Sequence, residues 1–199
     1  MGRKADLTRH RVERAALGLF VAQGVAETTT KQIAAAADVA EGTIYRYFDS
    51  KDVLARSLFN DHYLALARAL EDAHQAHKPL RSKVEAIVRT YCRLADLDWL
   101  IFAYHLLTQH QHLPFLPDGS RTPVDVVRDV VAAAIRRGEI PRHNVDALTG
   151  AAMGVVLQPA FQKVYGKLSG PLSDHIDLFI EGVWSLLHAK TRQPAGIRA

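Results

Sequence analysis

The chain of 199 residues is 48% apolar, 23% charged and 8% aromatic, a balance that supports one or two helical or mixed domains with a real core and excludes a collagen-like, disordered or disulfide-stapled chain. Cys92 is the single cysteine, so no intrachain disulfide can form and nothing points to an oxidising compartment. The net charge of +4 is compatible with nucleic-acid binding but too small to argue for it, while Arg3, Lys4, Arg9, Arg11 and Arg14 against Asp6 and Glu13 give residues 1–14 a local excess that either attracts phosphate or solubilises a tail.

Helical periodicity starts at once. Val12, Ala15, Ala16, Leu19 and Phe20 follow the i, i+3, i+4, i+7, i+8 pattern, and Gly24 suits a C-terminal cap, which predicts a first helix over about residues 7–23. Thr28-Thr29-Thr30 leads as a hydroxyl-bearing cap into a second, short helix that stops near Ala37, because Asp38 stands where a left-handed residue would close it. After Val39 and Ala40, Ile44 and Phe48 share one face of a third short helix. Asp49-Ser50-Lys51-Asp52 opens a long fourth helix running to about His77, with Val53, Leu54, Leu58, Phe59, Tyr63, Leu66 and Leu70 at helical spacing.

Beyond it, prolines punctuate stretches of helical rather than alternating spacing: about 81–112 with a break near Asp96–Asp98, 123–138, 144–168 and 173–190. The total is about nine helices in an all-α chain. Pro159 should kink the eighth or mark an adjustment in its packing, and residues 191–199 read as a frayed tail. Ala147–Gln162 is a charge-free stretch, and its 16 residues fall short of the roughly 20 needed to cross a bilayer. The first ten residues have no apolar run behind their charges, so they do not read as a secretory signal. The expected home is the cytoplasm, with no membrane partner.

Two short helices joined by a tight turn, braced by a first helix and followed by a long one, outline a helix-turn-helix DNA reader. With Ile44 and Phe48 inward, a helical wheel puts Gly42 and Arg46 on the opposite side and Thr43 and Tyr45 on the flanks. Gly42 lets the backbone approach a groove edge closely, and Tyr45, Arg46, Tyr47 and Lys51 can reach phosphate oxygens. The structural alternatives are that Thr30 caps helix two, that Tyr45 packs between helices, and that Arg46 pairs with Asp49 or Glu41.

Thr29-Thr30-Lys31-Gln32-Ile33-Ala34, then Ala40-Glu41-Gly42-Thr43-Ile44-Tyr45-Arg46-Tyr47-Phe48, then Ser50-Lys51 and Leu54 closely resemble the TetR family of one-component bacterial transcriptional regulators. The resemblance covers about residues 7–58; the remainder matches the family only in length and helical layout. It implies a helix-turn-helix DNA-binding domain over 1–50, an effector-binding and dimerisation domain over 51–190, and a homodimer whose third helices enter successive major grooves of a pseudo-palindromic operator. By the same resemblance Thr30, Tyr45, Tyr47 and Lys51 correspond to phosphate-contacting positions and Glu41, Gly42 and Thr43 to base-contacting ones, with Lys31 and Ala40 inside the matching stretches. Asp38 replaces the glycine more common in that turn. Glu41 stands where a basic residue is frequent; its carboxylate either accepts from a cytosine amine or faces solvent. Release of a repressor from DNA by a small, largely apolar effector is the commoner outcome in the family, with helix four carrying the change.

For the effector, the segment richest in aromatic and neutral polar groups supplies Trp99, Phe102, His105, Gln109 and Phe115, and Gln158, Phe161 and Gln162 lie near Pro159. For dimerisation, Val155, Val164, Ile176, Phe179, Ile180, Val183, Trp184 and Leu187 offer more apolar surface than two terminal helices need for one core. The competing class is a helical di-iron enzyme. Glu71-Asp72-Ala73-His74 holds one Glu-x-x-His spacing, but such a site needs two plus two further inward Glu residues. No metal, cofactor or catalytic residue is therefore expected.

Overall fold

The computed structural model describes residues 2–190, with side chains from Ala5 onward; the tail expected at 191–199 and the side chains of Arg3 and Lys4 lie outside the described residues. Within them every regular element is helical: α1 Gly2–Gln23, α2 Thr30–Ala36, α3 Glu41–Ile44, α4 Lys51–Gln75, α5 Leu80–Leu97, α6 Trp99–His112, α7 Pro123–Arg136, α8 Val145–Val164 and α9 Ile176–Leu187, with 3₁₀ turns at Leu113–Phe115 and Leu172–His175.

The caps explain the boundaries. Gly24 takes φ 86° and ends α1. Thr29 and Gln32 form a reciprocal capping box at the start of α2. Asp38 adopts φ 51°, and the Val39 and Asp38 N–H groups bond to Ala34 O at 3.0 Å and Ala35 O at 3.2 Å, a Schellman closure made without glycine. Arg11 tightens the same turn by donating to Ala37 O at 2.5 Å and Asp38 O at 2.9 Å. The α3 helix is shorter than its periodicity suggests, because the Arg46 and Tyr47 N–H groups bond three residues back and wind the chain into a tight turn. Asp98 marks the α5/α6 break by accepting from the Ile101 N–H at 3.3 Å. The α8 helix runs unbroken through Pro159 and ends at Val164, four residues earlier than its pattern, where Gly166 takes φ 66°. What reads as one final segment is a 3₁₀ turn followed by α9.

Packing divides the described chain into two units: residues up to Ala65 with Asp98–Ser120, and Leu66–Leu97 with residues from Arg121 onward. The boundary expected at residue 50 therefore runs through the first unit, in which α6 packs on α1. The core of this unit joins Val12, Leu17 and Phe20 of α1 to Ile33, Ile44, Phe48, Leu54, Phe59 and Tyr104. The second unit buries Val84, Val88 and Ala95 of α5, Val126 and Val131 of α7, Leu148 and Ala160 of α8, and Ile176, Phe179 and Ile180 of α9. In this second unit Asp96 fastens the chain before α9 by accepting from the Leu172 and Ser173 N–H groups at 2.8 Å each. Cys92 is fully buried beside it, and burial pushes its thiol up to about 12, so it is a packing residue rather than a nucleophile.

Candidate nucleic-acid interface and an apolar cavity

The short α3 gives the first unit its chemistry. Ile44 and Phe48 are buried, as their spacing requires, and they anchor the segment against α1 and α4 residues of the same core. What remains outward is Ala40, Glu41, Gly42, Arg46 and, at 51% exposure, Tyr45; Thr43 and Tyr47 are half-buried and Lys31 is exposed. A Cβ placed on Gly42 would meet nothing within 4 Å. Nothing in the protein itself requires a glycine there, although glycine costs a helix about 1 kcal/mol relative to alanine.

Two expected phosphate contacts hold other partners. The Thr30 hydroxyl donates to Glu41 Oε1 at 2.5 Å and accepts from Tyr45 OH at 3.4 Å. Thr30 is therefore not the cap of α2, a role Thr29 fills. Lys51 Nζ donates to Thr28 O at 2.6 Å and Ala26 O at 3.1 Å, so it braces the loop entering α2; an ammonium has three donors, and one is left over. Arg46 is exposed and, among the described residues, pairs with neither Asp49 nor Glu41. Arg11 contributes in a way the sequence does not reveal: a residue of the basic amino-terminal run is spent on the helix-turn-helix turn.

The residues expected to bind an effector fall into both units. In the first, Phe102 and His105 are buried, Trp99 and Gln109 half-buried and Phe115 59% exposed. His105 sits among rings, with Phe59 at 5.7 Å, Tyr63 at 6.0 Å, His62 at 6.1 Å and Phe102 at 6.2 Å between centroids. Among the described residues neither of its ring nitrogens has a hydrogen-bond partner, and burial pushes its pKa down to about 3. In the second unit Gln158 is exposed, and Phe161 and Gln162 are half-buried, Phe161 stacking on Tyr165 at 6.2 Å.

None of these eight residues lines the apolar cavity of the second unit. That space, about 80 Å³, is walled by Val84, Val88 and Tyr91 of α5, Val127, Val130 and Val131 of α7, Ala152 and Val156 of α8, and Val183 and Leu187 of α9, with Leu70 and Ile140. It is about half the size of an engineered cavity that admits benzene, roughly 150 Å³. Its lining carries no charge. In sequence these are ordinary core valines, since a void is a lack of partners and leaves no residue signature.

The residues expected at a dimer interface differ in burial. Ile176, Phe179, Ile180, Val183 and Leu187 are buried inside the second unit. Val155, Val164 and Trp184 are half-buried; Val155 backs onto Gly182, where an added Cβ would lie 3.0 Å from its Cγ1, and Trp184 is covered by Arg81 at 5.1 Å and His188 at 4.2 Å. The outward faces carry Ala147, Gly150, Ala151 and Gln158 on α8 and Leu178 and Ser185 on α9. Apolar periodicity locates the face turned to the core of the unit.

Among the described residues no group of three or more His, Cys, Asp or Glu side chains is placed to hold a metal. Glu71 of the Glu-x-x-His spacing is tied to Arg121 at 2.6 Å. No helix among them is long and apolar enough to cross a membrane.

Comparison with known proteins supplies the context. The sequence profile described as "Bacterial regulatory proteins, tetR family" matches residues 14–58. The chain is 30% identical over 162 residues to the HTH-type transcriptional regulator TcmR of Streptomyces glaucescens, covering 80% of this chain and 66% of that protein. To the HTH-type transcriptional regulator LuxR of Vibrio harveyi it is 23% identical over 172 residues, covering 82% of this chain and 84% of the relative. Among solved structures, a bacterial regulatory protein in the tetR family from Rhodococcus RHA1 superposes with TM-score 0.77 at 16% identity, over 92% of this chain and 98% of that one. The transcriptional regulator FadR from Bacillus subtilis, in complex with stearoyl-CoA, superposes with TM-score 0.70 at 18% identity, over 90% and 97%.

Proposed function

The chain belongs to the TetR family of bacterial regulatory proteins, and on that premise we propose that this DNA-binding regulator is a homodimeric repressor released from a pseudo-palindromic operator by a small, largely apolar effector. The observation that carries the reading is the surface from Ala40 to Tyr47: an exposed helix start with a bare backbone at Gly42, an exposed Arg46 and polar flanks, all anchored by Ile44 and Phe48. An α-helix end of this size enters a major groove, and base edges are read there by side chains at its start.

The effector enters the cavity of the second unit, whose valine lining favours a hydrocarbon group and penalises an unpaired charge. The stearoyl-CoA held by FadR supports an apolar chain as one occupant of this fold. Two copies pair through the outward faces of α8, where the small side chains of Ala147, Gly150 and Ala151 permit close approach, and α9, where Leu178 is exposed. Because α4 contributes residues to both units, a change in second-unit packing reaches the reading head through it. The protein acts in the cytoplasm and by binding rather than catalysis.

A gel shift with the DNA upstream of its own gene tests the reading. The expected result is a discrete complex that an apolar ligand dissolves and that excess unrelated DNA does not. A protein that holds no upstream fragment over unrelated DNA overturns the proposal, and one that holds its operator equally across a broad panel of apolar ligands overturns effector release.

A further inference from the structure

We propose that Glu41 is a base-reading residue that selects cytosine at one position of each half-site, with Thr30 and Tyr45 as its positioning residues; this rests on the DNA-binding reading above. Glu41 begins α3 and is exposed, and its carboxylate is held from a second helix. Thr30 of α2 gives its one hydroxyl proton to Glu41 Oε1 at 2.5 Å, and Tyr45 OH in turn donates to Thr30 Oγ1 at 3.4 Å. Thr30 of α2, Glu41 of α3 and Tyr45, the residue that closes α3, thus form one chain of donors ending on a carboxylate whose other oxygen has no such partner among the described residues.

The chemistry of the carboxylate narrows what it can meet. It only accepts, so phosphate oxygens repel it and guanine, which offers acceptors at O6 and N7, gives it nothing. Thymine presents an acceptor and a methyl group. Adenine offers its amine beside the N7 acceptor, whereas cytosine offers an amine with no acceptor on the same base. A carboxylate fixed in place before binding discriminates better than a free one, because its orientation is not lost as entropy on docking. Thr30 and Tyr45, with their protons committed here, act through Glu41 rather than on phosphate.

A negative charge on a DNA-facing surface also weakens sequence-independent binding. Glu41 therefore trades general affinity for discrimination, a combination that a purely structural first-turn acid at α3 would not produce.

The test is selection of bound duplexes from a random library by the full-length protein, followed by titrations on the selected site. The wild type is expected to enrich one cytosine per half-site at a position whose replacement weakens binding about tenfold. Glu41→Ala is expected to relax that position alone while binding unrelated DNA more tightly; Glu41→Gln should move the preference toward adenine, and Thr30→Val should weaken it without touching other positions. If Glu41→Ala and Glu41→Gln keep the wild-type preference at every position, the proposal is overturned while DNA reading stands. If the wild type enriches no sequence at all, the underlying DNA-reading assignment falls with it.

Discussion

The cores of the two units are built from different materials. The first is aromatic and polar-bonded: Phe20 stacks on Tyr104 at 5.8 Å and Phe59 on Tyr63 at 4.9 Å, while Tyr104 OH donates to Ala55 O at 2.8 Å and lies 3.2 Å from His112 Nε2. The second is aliphatic, rich in valine, and leaves a cavity. Directional bonds and stacked rings hold one arrangement, which a surface that must match base spacing needs. Aliphatic side chains around a void have no preferred partner and can repack around a guest. The contrast is that of a fixed part and an adjustable one.

One deletion made in both units tests this most severely. Ile44 and Ile140 are both buried, but only Ile140 borders the cavity. Truncating a buried isoleucine to alanine costs about 2–5 kcal/mol, depending on how many contacts are lost and how well the site relaxes. Ile44→Ala should fall at the upper end and abolish DNA binding; Ile140→Ala should fall at the lower end and leave it intact. Urea denaturation and a gel shift measure both effects, and equal costs would erase the distinction between the cores.

The same contrast explains how much was legible in the sequence. Helix order, a cap within Thr28-Thr29-Thr30, the left-handed Asp38, a break near Asp96–Asp98 and the inward pair Ile44 and Phe48 all depend on local patterns, and each can be read from its neighbours alone. The proposed reading face follows from them, since it is the surface that the inward pair leaves behind. The cavity and the outer faces of α8 and α9 depend on which of several apolar helices pack on which others. Periodicity marks Val183 and Leu187 as apolar but not as cavity wall, and a search for aromatic and polar groups leads to His105, which belongs to the first unit's core. The Arg11 and Lys51 braces were hidden for a related reason: both bond to backbone carbonyls distant in sequence, and a carbonyl has no letter.

Acid should damage the first unit through its buried imidazoles. His105 has its pKa lowered to about 3 by burial, and burial also lowers His62 and His112. The folded state keeps these rings neutral, while the unfolded chain takes up protons below about pH 6.5. Their contribution is therefore fully present above that pH and is lost as pH falls toward the folded value. For His105 alone the loss between pH 7 and 5 is about 2 kcal/mol. His105→Phe should pack among Phe59, Tyr63 and Phe102, remove two unbonded ring nitrogens and flatten the pH dependence of the denaturation midpoint. A variant as acid-sensitive as the wild type would show that other groups govern the unit's response.

Gly42→Ala should produce the smallest change in stability and separate stability from function most cleanly. Its added methyl meets nothing within 4 Å, so the free protein gains helix propensity without a clash, and the thermal midpoint should rise by the equivalent of up to about 1 kcal/mol. If the backbone at Gly42 meets the groove as proposed, the same methyl should crowd that contact and weaken DNA binding by about tenfold. Opposite signs in a thermal melt and a gel shift would mean that the glycine is retained for the partner rather than for the fold. If affinity holds while stability rises, the backbone at Gly42 does not approach the groove, and contact with the bases rests on the side chains of Glu41 and Thr43.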